Sequence, residues 1–307
     1  MGTTYSIIYQ GRDDIKGDVD VLLKDINSEV STYITSATIS QYNESETVFV
    51  IDTGKQHFVK NWNASKIVYK ETEGFFDPSV MPLINYWGFG YTEKKARSEI
   101  DSTAVEKMMK GVGLDKIIDS ESFLYKPIPS AQLDFSAIAK GYAVDALAES
   151  LEEKGCKNYL VEVGREVYAK GLNVSGQKWK VGISTPSSEA AIDDISRVVE
   201  LTDSGVASSG NYRNFYIVDG KKYGHTIDPH TGYPSLNDLL GTTVISKSCM
   251  RSDAYATAFL AMGLERASIL VEELDEVEAC FFYSNQEGTI IKKYSNGFIQ
   301  YVAGSEK

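Results

Sequence analysis

The chain has 307 residues, a formal net charge of −12 at pH 7 and a pI near 4.9. Its 42% hydrophobic and 24% charged residues are typical of a folded globular protein, not of a disordered or membrane protein. Such an acidic chain is not expected to bind nucleic acid, whose phosphates favour clustered Lys and Arg. Binding of a small phosphate-bearing ligand is compatible with this charge if a metal cation supplies positive charge.

The first half of the chain begins with a predicted strand. The opening residues, MGTTYSIIYQ, alternate as a strand does, so we expect no signal peptide within this chain and interpret it as a mature or trimmed form. Apolar residues recur at helical spacing over 15–30, which predicts a helix. A second helix is predicted over 136–154, with Asp134 or Ser136 as N-cap and its end at Gly155.

The second half of the chain mixes strands and helices. The segments NYLVEVG, WKVGIS and NFYIVDG have the composition of strands. A helix is predicted from Ser252 or Asp253 to Gly263, another over 265–275, and a three-strand meander over 277–302. Because no steady βαβ rhythm appears, the pattern predicts an α+β fold. The three cysteines are far apart in apolar surroundings, which indicates buried thiols.

The segment MRSDAYATAFLAMG places a carboxylate and a hydroxyl, Asp253 and Thr257, on one face of a predicted helix. Oxygen ligands of this kind suit Mg²⁺, which leaves coordination positions for a substrate phosphate. Helix capping by Asp253 explains the same pattern, and taken alone this segment favours capping.

The segment LDFSAIAKGYAVDALAESL has Asp134 before a predicted helix and Lys140 within its first turns. A helix N-terminus offers free N–H groups to an anion, and Lys140 could add a positive charge. A capped amphipathic helix with a solvated lysine is the alternative, and it is favoured when this segment is taken alone.

The segment GFFDPSVMPLINYWGFGY is dense in aromatic residues. Aromatic residues at this density are usually core, whereas the prolines and glycines here interrupt a regular buried element. The pattern predicts equally a core segment and a pocket in which a flat heteroaromatic ligand stacks.

Two of the three histidines lie in one short segment, GHTIDPHTGYP. Its prolines and glycines predict tight turns, and turns of this kind would hold His225 in the fixed geometry that a general base needs. We interpret His230 as a surface residue without a catalytic role.

Seven segments, taken together, resemble the ApbE family, the FAD:protein FMN transferases. They are MGTTYSI, STYITSATISQYN, GFFDPSVMPLINYWGFG, LDFSAIAKGYAVD, ASSGNYRNF, GHTIDPHTGYP and SDAYATA. They follow one another in the family's order from the first residue to about residue 263. This resemblance is independent of composition and spacing.

The resemblance implies one ApbE-type domain over residues 1–307, α+β with T-fold-like mixed sheets and packed helices, in which 277–302 is included. It also implies a Mg²⁺-dependent transferase with FAD as bound substrate. Such an enzyme cleaves the diphosphate of FAD, attaches FMN through a phosphoester bond to a threonine of an acceptor flavoprotein, and releases AMP.

Site residues are implied by the same resemblance. His225 corresponds to the base that takes the proton of the acceptor threonine. Metal ligands are implied at Asp253, at Thr257 and at the main-chain oxygen of Ala137. The implied FAD contacts are Met1, Tyr33, Phe75, Phe76, Asp77, Asp134, Lys140 and the backbone at Ile227.

Three departures from the family pattern stand out. Arg165 replaces a glycine of a Gly-Gly-acid run, which puts the shape of that loop in doubt. Ser252 stands where alanine is usual, and the segment SATISQYN lacks an acidic residue often found after its serine.

Two other functions use the same residues. One is an FAD diphosphatase, in which water replaces the acceptor and the products are FMN and AMP. The other is a non-catalytic FAD-binding protein, against which the joint presence of Asp253, Thr257 and His225 counts. The resemblance also implies the extracytoplasmic face of the cell membrane, as a lipoprotein whose anchor is absent from this chain; a cytoplasmic location is the alternative.

Overall fold

The structure is a computed structural model that describes residues 2–52, 54–92, 100–120, 122–186, 195–211, 215–218, 221–285 and 287–304. The chain divides into two compact units. The first unit holds Met1–Val19, Lys140–Arg213 and Asn237–Lys307, and the second holds Asp20–Ala139 and Asn214–Leu236. The expectation of one domain over the whole chain stays a prediction.

The helices and strands follow one another without a regular alternation. The α-helices of the described residues are α1 (Lys16–Val30), α2 (Thr38–Glu44), α3 (Gln56–Glu71), α4 (Met81–Tyr86), α5 (Ser102–Met109), α6 (Ala139–Glu153), α7 (Cys249–Met262) and α8 (Leu264–Glu273). The strands are β1 (Tyr5–Tyr9), β2 (Val48–Val50), β3 (Ile118–Asp119), β4 (Phe123–Tyr125), β5 (Tyr159–Val163), β6 (Glu166–Lys170), β7 (Trp179–Ser184), β8 (Ile195–Leu201), β9 (Ser204–Gly210), β10 (Phe215–Val218), β11 (Lys221–Gly224), β12 (Leu239–Ser246), β13 (Val277–Ser284) and β14 (Ile290–Tyr294).

The first unit is built on a seven-stranded sheet in the order β1-β5-β6-β9-β12-β13-β14. Every neighbouring pair in it is antiparallel. Helix α7 packs against β9 and β12, and α8 packs against α7 and β13. An antiparallel sheet with helices packed on it is the α+β arrangement that the sequence predicts, so that prediction is confirmed.

One core cluster of this unit lies where side chains of the sheet meet the β7–β8 pair. Strand β5 alternates buried and half-buried residues, as a strand with one face on a core does. The cluster contains Val167, Ala169, Trp179, Ile183, Val199, Leu201, Val206, Ile245, Cys280, Phe282, Phe298 and Val302.

The second unit contains most of α1, helices α2 to α5 and two small antiparallel sheets. One sheet has the strand order β2-β4-β3 and the other pairs β10 with β11. A buried cluster joins α4, α5 and the end of β11. Its members are Leu83, Trp87, Val105, Val112, Tyr223 and Ile227. Among the described residues, no helix is both long and apolar enough to cross a bilayer.

Two helix boundaries differ from the prediction for a physical reason. Helix α6 begins at Ala139 rather than 136 because Ser136 donates from its N–H and its hydroxyl to Asp134, which closes a separate turn (3.0 and 2.7 Å). Helix α7 begins at Cys249 rather than Ser252 or Asp253, since Ser248 is its N-cap. The predicted third strand of the tail is wrong, because Phe298–Tyr301 forms a 3₁₀ turn.

Candidate active site

Helices α6 and α7 come unusually close at a glycine in the first turn of α6. A Cβ on Gly141 would lie 2.4 Å from the carbonyl oxygen of Cys249 and 2.7 Å from Cα of Met250. No side chain fits at that separation. Glycine is therefore required here for the start of α7 to pack directly on α6.

Asp145, one turn further along α6, binds the N-terminus of α7. Its carboxylate accepts hydrogen bonds from the N–H groups of Cys249 (2.8 Å) and Met250 (2.9 Å) and from the hydroxyl of Ser248 (2.6 Å). These N–H groups have no partner within the helix, and a carboxylate also complements the positive end of the helix dipole. Burial raises the pKa of Asp145 to about 6, against the opposing effect of its donors. The start of α7 is thus fixed by a residue distant in sequence.

With α7 fixed in this way, its second turn presents Asp253 to α6. The Nζ of Lys140 lies 3.4 Å from both carboxylate oxygens of Asp253, and the N–H of Gly141 donates to one of them at 3.0 Å. Asp253 is 2% exposed, whereas Lys140 keeps 30% of its side chain exposed. The structure therefore brings together two predicted site residues, and it shows that Asp253 does not cap α7.

A third member of this group, Glu166, was missed in the sequence. Its Oε1 accepts from the Nζ of Lys140 at 3.2 Å, and its side chain is 5% exposed. We call Lys140, Glu166 and Asp253 the Lys140 cluster. The sequence signal for this position is the acidic residue of the Gly-Gly-acid run.

The departure at Arg165 leaves that loop intact. Val163 pairs with Glu166 across the β5–β6 hairpin, so the turn has two residues. Both have positive φ, 64° for Gly164 and 85° for Arg165, which is the geometry of a type I′ turn. A non-glycine residue in the left-handed region costs about 1 to 2 kcal/mol. The chain keeps the turn despite this cost, and the turn sets Glu166 at the start of β6.

Charges within the Lys140 cluster influence one another strongly. Burial lowers the pKa of Lys140, but the carboxylates of Asp253 and Glu166 outweigh burial, so the net pKa lies above its ordinary value. Burial raises the pKa of Glu166, and the ammonium of Lys140 opposes that rise. Lys140 is accordingly a permanent positive charge suited to a phosphate oxygen.

Two residues of α7 close to Asp253, Ser252 and Thr257, carry hydroxyl groups. Thr257 is half-buried one turn further on, and its hydroxyl lies 3.1 Å from that of Ser209 on β9. The unusual Ser252 is fully buried, and its hydroxyl donates to the carbonyl of Gly205 at 3.2 Å. Serine in place of alanine therefore adds a satisfied link between α7 and β9.

The side-chain oxygen atoms of Asp253 and Thr257 on α7 suit a hard divalent cation as ligands. Asp253 and Thr257 offer only oxygen atoms, and Asp253 is held by two long ammonium contacts and one N–H, which leaves lone pairs for a metal. No group of three or more His, Cys, Asp or Glu side chains in the described chain could hold a metal. A Mg²⁺ ion bound here would accordingly take few protein ligands and complete its shell with phosphate and water.

Two more predicted residues, Asp134 and Ala137, lie in the second unit. Asn43 exchanges two hydrogen bonds with the backbone of Leu133 (2.9 and 2.7 Å), and buried Lys126 donates to the carbonyl of Ala131 at 3.2 Å. These contacts fix the segment before Asp134. Ala137 is half-buried in the turn that leads into α6.

The residues Phe75, Phe76 and Asp77 are all buried in the second unit. The Asp77 carboxylate accepts from the N–H of Ser79 at 2.8 Å, and burial raises its pKa to about 6. This hydrogen bond gives the side chain a structural contact, and the implied FAD contact at Asp77 stays a prediction. The rings of Phe75 and Phe76 are buried, as core residues are, while Tyr91 at the far end of the aromatic segment is 41% exposed.

His225 follows β11 and precedes a closed loop. The loop is held by the bridge between Ile227 and Pro234 and by the N–H of Asp228, which donates to the carbonyl of Tyr233 at 2.8 Å. His225 is half-buried, and its ring lies edge-on to Phe89 with a centroid distance of 6.2 Å. The prolines and glycines thus produce the rigid turns that the sequence predicts.

Tyr33 has the exposure that stacking on a ligand requires. It is 73% exposed, and its ring meets that of Tyr91 edge-on at 6.2 Å. Met1, the remaining implied FAD contact, lies outside the described residues. The implied ligand contacts stay predictions.

Residues 1–281 match the profile of the ApbE family. The chain belongs to the ApbE family. An FAD:protein FMN transferase of Vibrio cholerae is 35% identical over 317 aligned residues, covering 100% of this chain and 90% of the relative. A second, from Haemophilus influenzae, is 33% identical and covers 97% of this chain and 86% of the relative.

Solved structures of ApbE proteins have the same fold. The flavin transferase ApbE from Vibrio cholerae superposes with a TM-score of 0.87 at 33% identity, covering 98% of this chain and 96% of that one. The apo flavinyl transferase ApbE of Pseudomonas stutzeri gives 0.87 at 28% identity, with 100% and 95% covered. The resemblance found in the sequence, the ApbE-type fold and the transferase class are confirmed.

Proposed function

We propose that this ApbE protein cleaves FAD between its phosphates and transfers FMN to a threonine hydroxyl of an acceptor flavoprotein, with Mg²⁺ at the diphosphate. The observation that carries the proposal is the Lys140 cluster, which forms where the fixed N-terminus of α7 packs against α6. It combines a permanent ammonium with a buried carboxylate, a pairing that suits a diphosphate and its cation.

Each residue has a defined task in this proposal. Lys140 donates to a diphosphate oxygen, while Asp253 and Thr257 hold the cation. When bound, Mg²⁺ neutralises the diphosphate and stabilises the charge on the departing AMP. The ion would also reduce the repulsion between a chain of net charge −12 and an anionic substrate.

The transfer step balances in atoms and protons. The threonine oxygen forms a bond to the phosphorus of the FMN half, and the bond from that phosphorus to the oxygen leading to AMP breaks. The hydroxyl proton passes to the imidazole of His225, because a neutral imidazole can accept a proton near neutral pH. AMP leaves with the bridging oxygen.

The test mixes the protein with FAD, MgCl₂ and a small flavoprotein domain that carries a candidate acceptor threonine. The denatured mixture is separated on a gel and viewed under ultraviolet light, with an EDTA-treated sample and a threonine-to-valine acceptor as controls. We expect a fluorescent acceptor band that is absent from both controls.

The other outcomes separate the competing functions. Free FMN and AMP without any labelled band, over a panel of acceptor domains, would indicate an FAD diphosphatase. Intact FAD would indicate a binding protein. A band that persists in EDTA would remove Mg²⁺ from the proposal but leave the transfer.

A further inference from the structure

Glu166 has no task in the proposed transfer, yet it is a buried member of the Lys140 cluster. It is the first residue of β6, and the strained Gly164-Arg165 turn immediately before it fixes its backbone. A buried carboxyl group is costly to desolvate, so its presence calls for a partner. Its contacts identify that partner as Lys140.

The two oxygens of Glu166 differ in their surroundings. Oε1 contacts the Nζ of Lys140 at 3.2 Å, whereas Oε2 is buried and has no hydrogen-bond partner among the described residues. Among the described residues, Lys140 is thus the side chain of another element that holds this carboxyl group. The aliphatic stem of Lys140 also packs over the turn, since a Cβ on Gly164 would lie 3.2 Å from its Cδ.

Lys140 therefore has two anchors, and only one of them is a predicted metal ligand. The contacts with Asp253 are 3.4 Å long and the contact with Glu166 is 3.2 Å. If Glu166 were absent, Asp253 would be the remaining carboxylate partner of the ammonium among the described residues. A closer Lys140–Asp253 pair would compete with a cation for the same carboxylate oxygens.

We propose that Glu166 is a positioning residue: it holds the ammonium of Lys140 so that the carboxylate of Asp253 stays open to a divalent cation. This inference rests on the proposed function and adds to it a residue that touches neither metal nor substrate. A purely structural Glu166 would support only the stability of the β5–β6 hairpin.

The experiment uses Mn²⁺ alone as the probe and measures its affinity for the folded protein by electron paramagnetic resonance. Glu166→Leu removes the acceptor at similar volume, and we expect Mn²⁺ affinity to fall about tenfold, equivalent to about 1.4 kcal/mol. Glu166→Gln keeps an acceptor oxygen for Lys140 and should restore most of the affinity. The same variants are compared in thermal unfolding.

The chain offers a matched control in Glu152. Its carboxylate pairs with Lys170 at 2.6 Å and accepts from the hydroxyl of Tyr159 at 2.8 Å, in the same unit but outside the cluster. Glu152→Leu should leave Mn²⁺ affinity within about twofold, because an exposed ion pair contributes little beyond its own position.

A double-mutant cycle tests whether Glu166 acts through Lys140. In a Lys140→Met background no ammonium competes for Asp253, so Glu166→Leu should change Mn²⁺ affinity by less than about twofold. An equal loss in both backgrounds would overturn the inference, as would a folded Glu166→Leu variant with wild-type affinity.

Failure of the proposed function gives a different result. Wild-type protein that binds no Mn²⁺ and transfers FMN equally in EDTA would overturn the metal role itself, and with it the role of Glu166. If Glu166→Leu does not fold, Glu166→Gln and Glu166→Asp decide. Asp keeps the charge but is one methylene shorter, so the Mn²⁺ affinity of Glu166→Asp should lie below that of Glu166→Gln. Wild-type affinity in the folded Glu166→Asp variant would contradict positioning, as would an equal loss from Glu166→Asp with and without Lys140→Met.

Discussion

The two clustered histidines have different surroundings although they lie in one short segment. His230 is exposed; its Nε2 contacts the carbonyl of Glu73 at 3.0 Å and its ring lies 4.4 Å from that of Phe75. His225 instead sits half-buried at the base of the closed loop, against Phe89. His230 thus has local structural contacts, and His225 is the candidate for proton transfer.

Replacement of each histidine by alanine should separate these tasks. We expect His225→Ala to bind FAD within about threefold of the parent protein but to lose transfer about 10²- to 10⁴-fold, the usual contribution of a general base. His230→Ala should transfer FMN normally and lose about 1 kcal/mol of stability with its hydrogen bond. Flavin fluorescence quenching measures binding, and the labelled acceptor band measures transfer.

The result that would contradict this assignment is specific. Transfer by His225→Ala at the parent rate would place the base elsewhere. Loss of transfer in His230→Ala, with FAD binding retained, would exchange the roles of the two residues.

At the scale of elements, the site depends on how α6 and α7 cross. Three residues of α6 share this work: Lys140 contacts Asp253, Gly141 allows the close approach, and Asp145 caps α7. The KGYAVD segment is therefore the part of α6 that packs against the N-terminal turns of α7.

Gly141→Ala should disrupt this crossing. The added Cβ would be 2.4 Å from the carbonyl oxygen of Cys249, and backbone cannot yield as a flexible side chain does. We expect a loss of about 1 to 3 kcal/mol in the free energy of unfolding, as for other overpacked sites. Urea denaturation provides the measurement.

A second helical glycine provides the control for Gly141→Ala. Gly17 lies in the first turn of α1, and a Cβ placed on it has no neighbour within 4 Å. Gly17→Ala should be neutral or stabilising by up to about 1 kcal/mol, because alanine favours the helix. Equal effects of the two substitutions would show that no close crossing exists at Gly141.

Local patterns were sufficient for some elements and not for others. The predicted helix over 15–30 is observed as Lys16–Val30, and WKVGIS is strand β7, because both carry their own periodicity. The predicted start of α7 lies a few residues after the observed one, because Asp145 of α6 contributes to the cap of α7. A local sequence pattern does not reveal a contact between residues so distant along the chain.

The candidate site shows the same limit. Resemblance identified Lys140 and Asp253, and the i to i+4 pattern placed Thr257 on the face of Asp253. The Gly-Gly-acid run marks the position of Glu166, but its own segment has the pattern of an ordinary strand and its partner lies on another element, so the sequence does not reveal its contact with Lys140. Buried ion pairs between distant elements appear only once the fold brings them together.

At the scale of the whole molecule, the net charge of the chain has the same sign as the charge of FAD and therefore repels it. The net charge is −12, and FAD carries a negative diphosphate. Like charges slow association, and salt screens them over about 30 Å at 0.01 M and about 10 Å at 0.1 M. Binding therefore depends on ions in two ways, through general screening and through the proposed cation.

The rate of FAD association should accordingly rise with salt. We expect a several-fold increase in the association rate constant in EDTA when NaCl is raised from about 10 to about 150 mM, the range over which screening becomes effective. Stopped-flow quenching of flavin fluorescence measures this rate. Uncharged riboflavin is the control, and its rate should not change.

Saturating MgCl₂ should flatten the dependence for FAD, because the cation reduces the charge that the protein repels. A rate that falls with salt would instead mean that local positive charge, such as that of Lys140, governs the approach of FAD more strongly than the charge of the whole chain.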